Sequence, residues 1–305
     1  MLSNCHWTQL LCRLRSLEPS PKGRGHPVSY PTYMMAWLAL WAAAHQWPLR
    51  ELAVELERGG WPRVIRRCVP RALRRRLPDA STLSRRWRKP AFFKMLDRLL
   101  LRLAGPDLTG LIDGMVLPVG PHSQDPEARF GSSGSKFQKG YKSVRLTNRR
   151  GQAWAVRVVS ANCLEPDVAF QILEWVGMEG LKLVRAVGDR AYDSEPLRQK
   201  FHERLGALLL APRMSRGRGK GRRGRSRKGK YRRESMRVLR SSWGRHWMKE
   251  RQAIERSNGC LRQRPHLMGV LPPYIRTTVR VRRWVLCHEV LLSIRKGAQM
   301  AISVA

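Results

Sequence analysis

Acidic residues are scarce in this chain. Only 22 aspartates and glutamates stand against 60 lysines and arginines in 305 residues, which leaves a formal charge of +38. No fold neutralises such an excess internally, so the composition asks for a polyanionic partner. DNA or RNA offers one charge per phosphate, and an anionic membrane surface is the weaker rival. Long apolar runs are also missing. The longest, Met34 to Ala44, falls well short of the roughly 20 residues a spanning helix needs, so it reads as a core helix. The opening stretch, MLSNCHWTQLLCRLRS, has only scattered apolar residues and lacks the layout of a secretory signal. The six cysteines are dispersed with no CxxC pair, and the eight histidines include no H-x3-H pair. These absences exclude a disulfide framework, a zinc site and a histidine metal centre, and they fit inert thiols in a reducing cytoplasm.

Apolar residues nevertheless make up 42% of the chain, enough for a sizeable core and two domains. Residues 1–28 end in EPSPKGRGHP, which reads as a flexible leader. Residues 29–105 read as helical. YMMAWLALWAAAHQW is apolar all round. Pro48 opens a second helix with Leu49, Leu52, Ala53 and Leu56 on one face, and Gly59 and Gly60 end it. Asp79 or Ser81 caps a short helix carrying Arg85, Arg86 and Arg88, and AFFKMLDRLLLRLAG forms a further amphipathic helix. Short helices joined by tight turns, one of them basic, suggest a helix-turn-helix-like reader of DNA.

From Leu108 the texture changes. LTGLIDGMVLPVG reads as a strand, YKSVRLTNRRGQAWAVRVVSAN as a hairpin turning at NRRG, EPDVAFQILEWVGMEG as a helix and LKLVRAVGD as a strand. SEPLRQKFHERLG comes next as a helix and ALLLAP as a short buried strand. The order is β-β-β-α-β-α-β and then a closing helix, which predicts an α/β fold with a five-stranded mixed sheet over residues 106–295. Residues 213–233 interrupt it: twelve of the 21 are lysine or arginine and none is acidic, so this reads as a basic loop lying on phosphates.

Asp113 sits mid-strand among Leu111, Ile112, Met115 and Val116, and Asp189 ends the fourth strand. A right-handed crossover sets those two strands side by side. Two neighbouring carboxylates repel unless a cation intervenes, and a divalent metal is the natural one. In MKERQAIERSNGCLRQR, helical spacing puts Met248, Arg251, Glu255 and Arg262 on one face, with Ile254 and Leu261 on the face beside it. Asp193, Glu165 and Asp167 read as helix caps.

IDG, GDRAYD and R-x3-E-x6-R, in this order, resemble the DDE transposases of bacterial insertion sequences. Met248 stands where many members carry tyrosine, and Arg262 where they carry lysine. The resemblance implies a ribonuclease-H-like core in which Asp113, Asp189 and Glu255 are the catalytic triad and hold two Mg2+ ions, with Mn2+ an alternative. It implies strand cleavage followed by attack of a 3′-hydroxyl on target DNA. Lys136, Lys139 and Lys142 are expected to line the DNA path, and Arg190, Arg251 and Arg262 to hold phosphates. Arg85, Arg86 and Arg88 are expected to read terminal inverted repeats. A homodimer on double-stranded DNA, cytoplasmic and associated with the nucleoid, is implied, with no membrane and no small-molecule substrate. Two other readings stand beside it: a structure-selective nuclease of the same fold, and a decayed copy that only binds DNA.

Overall fold

The computed structural model describes residues 2–18, 30–69, 71–133, 136–214, 229–263 and 269–303. The chain divides into two compact units, residues 1–103 with 274–305, and residues 104–273.

The first unit is helical. Its elements are α1 (Asn4–Arg15), α2 (Thr32–His45), α3 (Leu49–Gly59), α4 (Arg63–Arg66), α5 (Ala80–Arg86) and α6 (Pro90–Ala104). The stretch expected to be a flexible leader therefore contains a folded helix; the remainder of it, residues 19–28, lies outside the described residues. Trp7, Leu10, Leu11 and Leu14 of α1 are buried, and the Trp37 indole of α2 donates to the Trp7 carbonyl. The prolines and glycines after α1 mask a short amphipathic pattern. α2 is buried on nearly all sides, as an all-apolar helix must be. The Glu18 carboxylate accepts from the amides of Thr32 and Tyr33 and so satisfies the first turn of α2. Asp79 caps α5 through the Thr82 amide, as its spacing suggested.

The second unit is built on a six-stranded mixed sheet. β1 (Thr109–Pro118), β2 (Arg129–Ser133), β3 (Lys136–Thr147) and β4 (Ala153–Ser160) are followed by α7 (Glu165–Met178), β5 (Arg185–Val187), α8 (Glu195–Leu205) and β6 (Leu208–Leu210). The sequence indicated five strands, and β2 is the addition. It is short and contains Gly131, so it carries little alternating signal. It pairs with residues 136–140 of β3, while β4 pairs with 141–147 along the same edge. β1 runs antiparallel to β3 and parallel to β5, and β5 parallel to β6. The hairpin turns at NRRG as expected, with Gly151 in the left-handed region at φ 69°.

Three helices then come where the sequence suggested one: α9 (Lys230–Arg240), α10 (Ser242–Lys249) and α11 (Gln252–Arg262). The basic loop expected over 213–233 lies, for residues 215–228, outside the described residues, and its last residues already belong to α9. The chain closes with α12 (Thr278–Ser303). The sequence pattern suggested a catalytic domain reaching residue 295, whereas residues from Tyr274 onward group with the first unit. There α12 packs on α2, and Arg282 is paired with Asp97 at 2.8 Å. Among the described residues no helix is long and apolar enough to cross a membrane.

Candidate active site

β1 and β5 pair Thr109 with Arg185 and Leu111 with Val187. Continuing that register sets Asp113 level with Asp189, which lies just beyond the end of β5. The strands hold this alignment because their inward residues are apolar. Leu111, Val187 and Leu210 form one fully buried cluster with Ile254 of α11. Burying each such side chain contributes about 1.5–3 kcal/mol. Burial pushes the Asp113 carboxyl up to about 6. The Arg251 guanidinium works against that rise, while Glu165 and Asp189 add to it. Asp189 also turns the chain, since its carboxylate accepts from the Ala191 amide at 2.8 Å.

Glu165 belongs to this site, although its sequence position reads as a helix cap. The residue capping α7 is Leu164, and it makes no side-chain cap bond. Glu165 reaches instead over Gly114, where a β-carbon would collide with its carboxyl group. Burial, with Asp189 nearby, raises the Glu165 carboxyl, and Lys142 at 3.7 Å opposes the rise. The Tyr192 hydroxyl is fully buried and faces the same carboxylates. Burial first, then Glu165 and Asp113, holds it far above the usual phenol range. The sequence signal that marks Glu165 is the glycine beside Asp113, which leaves room for a second carboxylate. Gly114→Ala is expected to push the Glu165 carboxyl aside. Because only the far end of a flexible side chain must move, stability should change by less than about 1 kcal/mol, while metal-dependent nicking falls roughly tenfold. Thermal melts and plasmid nicking measured side by side check both.

Glu255 lies on α11 but does not meet the two aspartates directly. Its side chain is 54% exposed and pairs with Arg251 at 3.2 Å, an i,i+4 contact. Arg251 thus acts on both acids, Glu255 on one side and Asp113 on the other. Among the described residues no group of three or more histidine, cysteine, aspartate or glutamate side chains is arranged to hold a metal ion. The helix expected to carry Met248 and Glu255 together is broken. α10 ends at Lys249, and Glu250 and Arg251 form a tight junction, their amides bonding to the Trp247 and Met248 carbonyls. Arg185 fixes that junction, paired with Glu250 at 3.4 Å and stacked 4.4 Å over the Trp247 ring. Met248 packs against the apolar cluster instead of sharing a face with Glu255.

The other acids of GDRAYDSE are structural. Asp193 is paired with Arg198 and Arg232, each at 2.8 Å, and accepts from the Met214 amide. These bonds overcome burial and hold its carboxyl below the usual range. Asp193 therefore ties α8 to α9 and is no helix cap. Glu195 accepts from the amides of Tyr231 and Arg232 and so caps α9.

Of the expected DNA contacts, Arg85 and Arg88 are exposed, and Arg86 is half-buried and donates to the Tyr30 carbonyl. Arg190 and Arg262 are exposed. Lys139 donates to the Ser123 carbonyl at 2.9 Å. The Lys142 side chain is buried and engaged with Glu165 and the Cys163 carbonyl. The Lys136 side chain lies outside the described residues.

The family described as "Transposase DDE domain" matches residues 104–268, more than half of the chain. The chain therefore belongs to the DDE transposases, enzymes of DNA transposition and recombination that act as metal-dependent polynucleotidyl transferases. No curated protein matches it. Membership suggests DNA as the partner and divalent metal as the general requirement.

Proposed function

We propose that this chain is the transposase of an insertion sequence: it binds the terminal inverted repeats, cleaves the strand at the element's end and joins the freed 3′ end to target DNA. The observation that carries the reading is the alignment of Asp113 with Asp189 across two parallel strands, in a chain of the DDE family. The antiparallel strands β1, β3 and β4, with β2 added at their edge, followed by α7, β5, α8 and β6 with β5 and β6 parallel to β1, support a ribonuclease-H-like core for it.

The donor set suits a hard divalent cation. Asp113 and Asp189 offer oxygen ligands, and the Asp113 carboxyl, raised first by burial and further by Glu165 and Asp189, is one that a cation would hold ionised. Asp113, Asp189 and Glu255 would hold Mg2+ or Mn2+, two ions in the full site. When bound, these supply Lewis-acid stabilisation and an activated oxygen nucleophile. Glu255 joins the aspartates by releasing Arg251, whose guanidinium is then free for a phosphate of the bound strand. Arg190 and Arg262 hold neighbouring phosphates from exposed positions. Lys142 keeps Glu165 in place. Arg85 and Arg88 on the helical unit contact the repeats, and two ends require two copies of the chain. The +38 charge keeps the protein on the nucleoid in the cytoplasm.

A pre-cut end bearing a 3′-hydroxyl, incubated with the protein, target plasmid and Mg2+, is expected to give joined product. Cleavage of branched DNA without joining would assign the chain to the structure-selective nucleases. DNA binding with neither reaction, in Mg2+ or Mn2+, would mark a decayed copy.

A further inference from the structure

Asp113 ends a chain of hydrogen bonds that joins β1, β3 and α11 on one face of the sheet. The Asn258 amide nitrogen donates to Asp113 Oδ2 at 2.8 Å. The Asn258 oxygen accepts from Arg145 Nη1, and Arg145 Nη2 donates to Ser257 Oγ at 3.0 Å. The Ser257 hydroxyl in turn donates to the Gly151 carbonyl at 2.7 Å. Arg145 is fully buried, and in the antiparallel register it lies directly across from Asp113.

A buried guanidinium is costly, several kcal/mol per buried ion before compensation. An apolar residue would serve packing alone at least as well. What an arginine adds is an unambiguous sense to the bonds. A guanidinium only donates, whereas an amide side chain can present either its oxygen or its nitrogen. Beside Arg145 the Asn258 oxygen must face the guanidinium, so the nitrogen must face Asp113. The carboxylate thus receives a donor whose direction is fixed from the neighbouring strand, on the same face of the sheet.

We propose that Arg145 and Asn258 are positioning residues for Asp113. They hold its Oδ2, leave Oδ1 for the divalent cation, and lock β1 to the helix that carries Glu255. The inference rests on the reading of Asp113 as a metal ligand.

Mn2+ binding to the full-length protein without DNA, followed by electron paramagnetic resonance alongside thermal melts, tests it. Asn258→Leu keeps the branched four-atom side chain, slightly enlarged, and removes the donor, and Asn258→Ala removes both. Each is expected to raise the Mn2+ dissociation constant by about 10–100-fold. Arg145→Met should act in the same direction, and the double variant Arg145→Met/Asn258→Leu should bind no worse than Asn258→Leu alone, because both changes break one relay. Should Arg145→Met fail to fold, the two Asn258 variants carry the test. Lower melting temperatures with wild-type Mn2+ affinity in the Asn258 variants would overturn the proposal and leave the network purely structural. Asp113→Ala separates the positioning role from the ligand assignment beneath it. If it too keeps wild-type affinity, the assignment of Asp113 as a ligand fails, and the positioning role fails with it.

Discussion

Asp189→Ala is expected to reduce Mg2+-dependent strand cleavage by at least about a thousandfold, roughly 4 kcal/mol of transition-state stabilisation. Melting should change little. Asp189 lies past the end of β5, and its main local bond is to the Ala191 amide in the turn that it opens. The alignment of β5 with β1 is fixed by Leu111 and Val187, which the substitution leaves in place. DNA binding should also persist, since the charge excess is spread over the whole chain. Plasmid nicking, gel shift and thermal melt on one preparation check all three outcomes. Equal nicking by wild type and variant would remove Asp189 from the chemistry and, with it, the paired-aspartate account of this site.

Asp113→Asn is expected to make the protein inactive and more stable. The Asp113 carboxyl titrates near 6 in the folded chain, above its ordinary value of 3.8. The folded state therefore binds a proton that the unfolded state has released, and wild-type stability falls as pH rises from about 4 to 6. Above 6 that loss is complete. Asparagine carries no charge to bury and shows no such loss. The difference should be near zero at pH 4 and about 2–3 kcal/mol at pH 7, because each tenfold change in proton affinity corresponds to about 1.4 kcal/mol. For a domain of this size that is roughly 5–10 °C in melting temperature. Saturating Mg2+ should close the gap by stabilising the wild type alone. Thermal melts at pH 4, 5, 6 and 7, with and without Mg2+, give the profile; a flat difference across that range would show that Asp113 is not under electrostatic stress.

The sheet was largely legible because its strands are apolar where they must be. LTGLIDGMVLPVG, the hairpin at NRRG and ALLLAP each alternate or run apolar between turn residues, and each became the strand it suggested. The aspartates emerged from that topology, since a crossover helix leaves β5 only one productive place beside β1. The features that local pattern did not convey depend on contacts distant in sequence. Glu165 occupies the first turn of α7, where an acid is favoured by the helix dipole in any case. Its position over Gly114 emerges only once the sheet is formed. Helical periodicity runs unbroken from Met248 to Arg262, and the junction at Glu250 is imposed by Arg185, more than sixty residues earlier. Arg145 looks like one more surface cation in a basic chain, and its burial is a property of the assembled sheet. α1 was obscured by the prolines and glycines of residues 19–28, whose composition set the character of the whole opening stretch.

The anchoring of α11 has a kinetic consequence. Ile254, Ser257, Asn258 and Leu261 are all buried along one side of this helix, and three of its residues are joined to β1, to Arg145 or to the hairpin turn. The helix is not free to travel as a body. On the proposed reading, Glu255 would reach the aspartates by leaving Arg251 through rotation of its own side chain, a picosecond-to-nanosecond event for an exposed residue. If Glu255 is the third ligand, metal added by rapid mixing should reach it without a lag from movement of α11.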